Sequence, residues 1–152
     1  MLAGLEIQPE ALVDVIGELD SVLYDYWKST DAHKGVPPLA MDWWALQRLE
    51  AANAFVCLVA RQQQQVLGFV QYMLFMHLHH KTTRFGHCDI LAVRPMHRGK
   101  GVGRALIKAG EVELRRRGVK RIVHAQRSVY DVPPLFPKLG YTATETVYMK
   151  AL

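Results

Sequence analysis

The sequence of 152 residues predicts a single α/β domain, and three observations carry that reading. Some segments repeat apolar residues at helical spacing, while others alternate or run continuously apolar as strands do. The two kinds of segment follow one another in the order β-α-α-β-β-β-α-β-α-β. Half of the residues are hydrophobic, and the length suits one domain rather than two. A chain of this size buries roughly 68–70% of the surface it exposes when unfolded, so one substantial core is expected.

Each element has its own signal. Leu5 to Ile7 reads as a short strand. Pro9 then opens a helical pattern through Leu12, Val15, Ile16, Leu19, Val22, Leu23 and Tyr26. Trp27 to Met41, with Gly35-Val36-Pro37-Pro38, reads as a loop. Asp42 to Ala52 is a second helix, with Trp43, Leu46 and Leu49 on one face. Phe55 to Ala60 and Val66 to Leu78 are strands about a polar turn, and a third runs from Phe85 to Val93. Val102 to Arg117 is the clearest helix, stopped by Gly118, with Glu111–Arg115 and Glu113–Arg117 at i,i+4 spacing. Ile122 to Gln126 is a buried-looking strand, Pro134 to Leu139 a short helix, and Thr142 to Met149 a final strand.

Composition excludes several classes. Charged residues are 22% of the chain, too ordinary for a disordered one. Val66 to Leu78 falls short of the ~18 apolar residues a membrane helix needs. The N-terminal stretch is acidic and lacks a secretory pattern. Two cysteines, Cys57 and Cys88, cannot staple a fold of this length, which fits a reducing, cytoplasmic setting. Residues 1–60 carry a net charge of −6 and the remainder +11. A basic half suits an anionic ligand or a solvated face. No aromatic-and-basic nucleic-acid motif accompanies it, so nucleic acid is not an expected partner.

The sharpest chemical signal lies between the third strand and the clearest helix. Val93-Arg94-Pro95-Met96-His97-Arg98-Gly99-Lys100-Gly101-Val102-Gly103-Arg104 places three alternating glycines at a strand-to-helix turn. Glycines let the backbone approach a ligand closely, and a helix N-terminus offers N–H donors to phosphate oxygens. Arg98, Lys100 and Arg104 add compensating charge. It is not a P-loop, since no Gly-Lys-Ser/Thr stands at the needed spacing, nor a dinucleotide fingerprint, because Arg104 stands where a third Gly belongs.

This segment resembles the acetyl-CoA motif of the GNAT N-acetyltransferases, Arg/Gln-x-x-Gly-x-Gly/Ala preceded by Val-x-Pro. Leu135-Phe136-Pro137-Lys138-Leu139-Gly140-Tyr141 resembles the same family's Leu-Tyr-x-Lys-Leu-Gly-Phe ending. The likeness covers about residues 55–150. It implies a single GNAT-like domain over 1–152, with a mixed central sheet of about six to seven strands and about four helices. It also implies acetyl-CoA as acyl donor, no metal, and an amine acceptor on a small molecule or a protein. In such a fold backbone groups of Arg98, Gly99, Lys100, Gly101, Val102, Gly103 and Arg104 would hold the pyrophosphate. Leu91, Ala92 and Val93 would pair with the pantetheine arm.

The acid and base are less directly written. Counting back from Val93, the position of the family's usual Glu is His87, and strand alternation puts Asp89 on the same face. A His is a sensible base near neutral pH, and Asp89 could orient it or anchor an ammonium. A surface His and a hydrated Asp are the alternative reading. Phe136 occupies the place of the family's thiolate-protonating Tyr, while Val129 and Val132 replace its usual Asn and Ala. Tyr130 is the nearest substitute phenol. These departures keep a second class open, a GNAT-fold interaction module that binds a protein partner with little chemistry. A homodimer is also allowed, since exposed strands of such sheets often pair. The acidic N-terminal third is expected to line the acceptor side, where the family also builds its pocket near Trp27, Trp43 and Trp44. His77, His79, His80, His87 and Cys88 could suggest zinc, but a solvated His-rich hairpin is the preferred reading.

Overall fold

A computed structural model of the chain describes residues 2–30, 37–126 and 135–152. Pro9 closes a strand instead of opening a helix: β1 is Glu6–Pro9, and α1 runs Leu12–Thr30. The orphan N–H of Leu12 finds the Glu50 carboxylate at 3.2 Å, which fixes where α1 begins. Leu12, Val15, Leu19, Val22 and Leu23 form its buried stripe, as their spacing predicts. The helix then continues through Trp27 to Ser29, part of the expected loop, and two arginines tether the helix. Arg94 donates to Ser21 Oγ at 2.8 Å and Arg98 to Ser29 Oγ at 3.1 Å.

Helix α2 covers Trp43–Ala51, and its N-cap Asp42 accepts from the Ala45 N–H at 2.9 Å. Strands β2 (Phe55–Gln62), β3 (Gln65–Met76) and β4 (Arg84–Val93) form an antiparallel meander. Gln63 and Gln64 both take positive φ, the geometry of a tight primed hairpin turn. Helix α3 is Val102–Arg116, followed by Gly118 at φ +78°, and β5 is Arg121–Val123. Helix α4 is Leu135–Lys138.

The sheet order is β1-β2-β3-β4-β5, with β4 and β5 parallel and all other neighbours antiparallel. Helices α1 and α2 cover one face over Phe55, Cys57, Val59, Phe69, Ile90 and Ala92. Helix α3 covers the other over Val56, Leu58, Val70, Tyr72 and Cys88. This is the expected mixed α/β sheet with four helices, but with five strands rather than six or seven among the described residues. Residues 142–149 form no strand; they pair with nothing described, and Val147, Tyr148 and Met149 stay exposed. β5 also stops at Val123, short of the expected Gln126.

Charge pairs fix the helices more selectively than spacing alone suggested. Glu113 is almost fully buried and accepts from Arg117 at 2.6 Å and Arg116 at 2.7 Å. Glu111, expected to pair with Arg115, instead accepts from the Tyr141 hydroxyl at 2.8 Å. Arg61 joins Glu10 and Glu18 at 2.7 and 2.8 Å, tying β2 to the start of α1.

Helix α3 approaches β3 closely because Gly110 has no side chain. A Cβ there would lie 2.6 Å from the hydroxyl of Tyr72, whose side chain is fully buried. Gly110→Val should lower unfolding free energy by about 2–3 kcal/mol, as overpacking of a fixed core does. The better helix propensity of Val returns only a few tenths of a kcal/mol. Urea unfolding of the two proteins checks this.

Candidate active site

The site is made where the sheet fails to close. β4 and β5 pair only from Phe85 to His87 against Arg121 to Val123. Beyond that point, no described strand covers the outer edge of β4 from Cys88 to Val93. An irregularity marks the same place on the inner edge. Gln71 faces Ile90, but the next residue, Tyr72, faces Cys88, so Asp89 is an extra, unpaired residue. Such a bulge bends its strand and increases the local twist, which helps to part β4 from β5.

His87 pairs with Met73, which packs toward α1 and α2, so His87 stands on that face of the sheet and is exposed. Asp89 is exposed as well, but the bulge interrupts the two-residue alternation from which a shared face was expected. Loss of water around Asp89 raises its carboxyl pKa, while His87 close by pulls it down. The two groups therefore feel one another electrostatically.

At the far end of the open edge, Pro95–His97 form a 3-10 turn, and Gly99 and Gly101 follow at φ +71° and +87°. A Cβ on either would meet nothing within 4 Å, so the backbone conformation is what requires glycine there. Gly101 is the N-cap of α3, and no side chain caps that terminus. The first N–H groups of the helix are thus left for a ligand. Lys100 and Arg104 lie exposed beside them.

Arg98 behaves differently from a free phosphate ligand. Its Nε donates to the Val93 carbonyl at 2.9 Å and its Nη2 to Ser29 Oγ at 3.1 Å. It braces the loop between β4 and α1. Arg94 does the same one step earlier, donating to the Val66 carbonyl at 2.7 Å and Ser21 Oγ at 2.8 Å. Opposite Val93, Gly68 leaves room for the strand, because a Cβ there would lie 2.5 Å from the Ala92 carbonyl oxygen.

The sequence reading missed the residue at the closed end of the opening. His124 directly follows the last β4–β5 pair, and its Nε2 lies 3.3 Å from the Tyr72 hydroxyl. Its ring meets Phe136 at 4.9 Å and Tyr141 at 5.3 Å between centroids. The alternation from Ile122 could have placed it on the α3 face, but nothing in the sequence brings Tyr72, 52 positions earlier, beside it. Burial, assisted by the nearby His87 charge, pushes its pKa down to about 4. Tyr130, Val129 and Val132 lie outside the described residues.

Other candidates do not assemble. Among the described residues no group of three or more His, Cys, Asp or Glu could hold a metal ion. His77, His79 and His80 pack against one another and around Phe85 at the β3–β4 hairpin. Cys57 and Cys88 are buried thiols, each pushed by desolvation up to about 12. Glu6, Glu10, Asp14 and Glu18 line a concavity of about 650 Å³ beside β1, at the opposite edge of the sheet from the β4–β5 opening. These acids therefore do not line an acceptor side at that opening. No described helix is long and apolar enough to cross a membrane.

Residues 18–141 match the family model for the acetyltransferase (GNAT) family. The chain belongs to the GNAT acetyltransferases. Solved structures repeat this fold over nearly the whole length. An aminoglycoside acetyltransferase from an uncultured soil metagenomic sample, in complex with sisomicin, is 19% identical with a TM-score of 0.73, covering 98% of this chain and 95% of that one. A ribosomal-protein-alanine N-acetyltransferase from Brucella melitensis biovar Abortus is 25% identical with a TM-score of 0.71, covering 97% and 99%. A predicted acetyltransferase from Clostridium acetobutylicum, crystallised with acetyl-CoA, is 16% identical with a TM-score of 0.71, covering 97% and 96%. No curated protein matches the chain.

The partly buried imidazole gives the GNAT domain a measurable pH signature. Folded His124 resists the proton that unfolded His accepts below about pH 6.5, so protonation favours unfolding. Stability should therefore rise between about pH 4 and 6.5, with a contribution from this residue of up to ~1.4 kcal/mol per pH unit. Urea midpoints across that range check it, and His124→Phe should remove this component of the slope.

Proposed function

We propose that this GNAT domain transfers an acetyl group from acetyl-CoA to a primary amine by direct attack. The observation that carries the reading is the open β4 edge from Cys88 to Val93, running into a glycine loop and an uncapped helix N-terminus. An extended acyl-pantetheine arm would add to that edge as a strand does, its amides paired with Leu91, Ala92 and Val93. The pyrophosphate would receive N–H groups from Gly99 to Arg104, with Lys100 and Arg104 supplying charge. Arg98 would hold the loop in shape through Val93 and Ser29.

The acceptor would reach the thioester from the α1 face, where His87 is exposed. An alkylammonium of pKa ~10 is only ~0.1% neutral at pH 7, so an unassisted loss of its proton costs roughly 4 kcal/mol. His87 would take that proton, directly or through water, and Asp89 would anchor the ammonium. The amine nitrogen then bonds to the carbonyl carbon, the C–S bond breaks, and the thiolate leaves with its electron pair. A free alkyl thiol has a pKa near 8–9, so departure at neutral pH is tolerable.

Two experiments test this. Gly101→Glu should abolish acetyl-CoA binding in a folded protein, because it combines strain at positive φ with a negative charge in the phosphate path. Calorimetry with unchanged affinity would overturn the reading. His87→Ala should lower kcat/KM 10²–10⁴-fold against an amine panel while sparing acetyl-CoA affinity, and the wild-type rate should fall on the acid side. A loss below about fivefold removes His87 from the role. A wild type that binds acetyl-CoA but acetylates no amine would instead favour an interaction module.

A further inference from the structure

We infer that the Nδ1–H of His124 hydrogen-bonds the sulfur of the departing thiolate, with Tyr72 fixing the imidazole tautomer that makes this donor available. The inference rests on the acetyl-transfer reading and adds to it the group that receives the leaving sulfur.

Position comes first. β4 and β5 part after the His87–Val123 pair, and His124 is the next residue of the chain. On the β4 side of the same point stands Cys88, whose partner across the sheet is Tyr72. The bond between Tyr72 and His124 therefore passes over β4 at Cys88, and the imidazole lies at the closed end of the opening. An acyl arm paired along β4 from Val93 toward Cys88 presents its sulfur at that end.

Hydrogen bonding then selects the atom. The Tyr72 side chain is fully buried, so its hydroxyl proton needs an acceptor. Among the described residues His124 Nε2 is its one hydrogen-bond partner. Desolvation raises the phenol's pKa, so the proton stays on the hydroxyl and is donated to Nε2. A neutral imidazole that accepts at Nε2 carries its hydrogen on Nδ1. The one hydrogen bond of the ring among the described residues is at Nε2, so none of them accepts from that Nδ1.

Among the described residues, elimination leaves the same donor. Phe136 brings a ring without a polar atom. Tyr141 is committed to Glu111 at 2.8 Å, and Tyr72 to His124. His124 is the one ring of this aromatic box with a donor to spare. Its task requires no proton transfer: the C–S electron pair goes to sulfur, the N–H dipole stabilises that charge, and water later protonates the thiolate. A preorganised donor in a partly desolvated setting is suited to this.

The test uses the full chain, acetyl-CoA, and three amines: an alanine-initiated peptide, sisomicin and spermidine. With the fastest of them, His124→Phe should lower kcat about 100-fold while acetyl-CoA affinity stays within twofold. His124→Asn, whose amide can place an N–H near the Nδ1 position, should recover at least tenfold over His124→Phe. Tyr72→Phe should lower kcat about tenfold and change the imidazole ¹⁵N spectrum from the Nδ1–H form toward Nε2–H. An Nε2–H tautomer in the wild type overturns the proposal even if a variant fails to fold. So does a His124→Phe enzyme retaining more than a third of kcat, or an Asn variant no better than Phe. A wild type inactive toward every amine overturns the acetyl-transfer reading together with this one. An active wild type with an indifferent His124 overturns this one alone.

Discussion

The structure depends on one interruption of hydrogen bonding, the parting of β4 from β5 after three paired residues. A strand edge carries N–H and C=O groups that must find partners somewhere, and an unpaired edge is a template for whatever extended chain fits it. Here the edge runs from Cys88 to Val93 and ends at a loop with two glycines at positive φ and a helix N-terminus that no side chain caps. The bulge at Asp89 belongs to the same device, because one extra residue on β4 turns the strand away from its neighbour. Fold and site therefore have a common origin in backbone geometry, and side-chain chemistry is added around it.

Two arginines keep that geometry from relaxing. Arg94 and Arg98 each take one backbone carbonyl of the sheet and one serine of α1. A guanidinium offers several donors in a planar fork, so one residue can hold two elements at a fixed separation. For Arg98 these contacts add a role that spacing does not show: its side chain braces the loop that presents the glycines. Lys100 and Arg104, which make no such contacts among the described residues, would supply the charge in the proposed complex.

The legible features were those set by short-range rules. The stripe of Leu12, Val15, Leu19, Val22 and Leu23, the Gly118 stop and the glycine loop all follow from spacing or from a single residue's backbone freedom. Features decided by long-range pairing were not legible. Pro9 fits a strand end as well as a helix start, and the carboxylate of distant Glu50 decides between them. The bulge at Asp89 depends on the register against Tyr72, which no local pattern encodes. Glu111 satisfies i,i+4 spacing with Arg115, yet Tyr141 from the far end of the chain takes its carboxylate. The expected strand over 142–149 has the right alternation but finds no partner among the described residues. His124 was passed over for the same reason, since its meaning comes from Tyr72, Phe136 and Tyr141 converging on it.

The two sides of the opening divide the chemistry by solvent. On the α1 face His87 is exposed to water, and in the proposed reaction it would take the proton of the incoming ammonium. On the α3 face His124 sits among Tyr72, Phe136 and Tyr141, where desolvation keeps its imidazole neutral. A neutral imidazole that resists protonation is a poor base, and with its hydrogen held on nitrogen it is a poor acid as well. What remains is a fixed dipole, and the low polarity that removes the other functions strengthens this one. In the proposed reaction proton transfer would belong to the exposed side and charge stabilisation to the partly desolvated side. The open edge of β4 would hold the thioester between them.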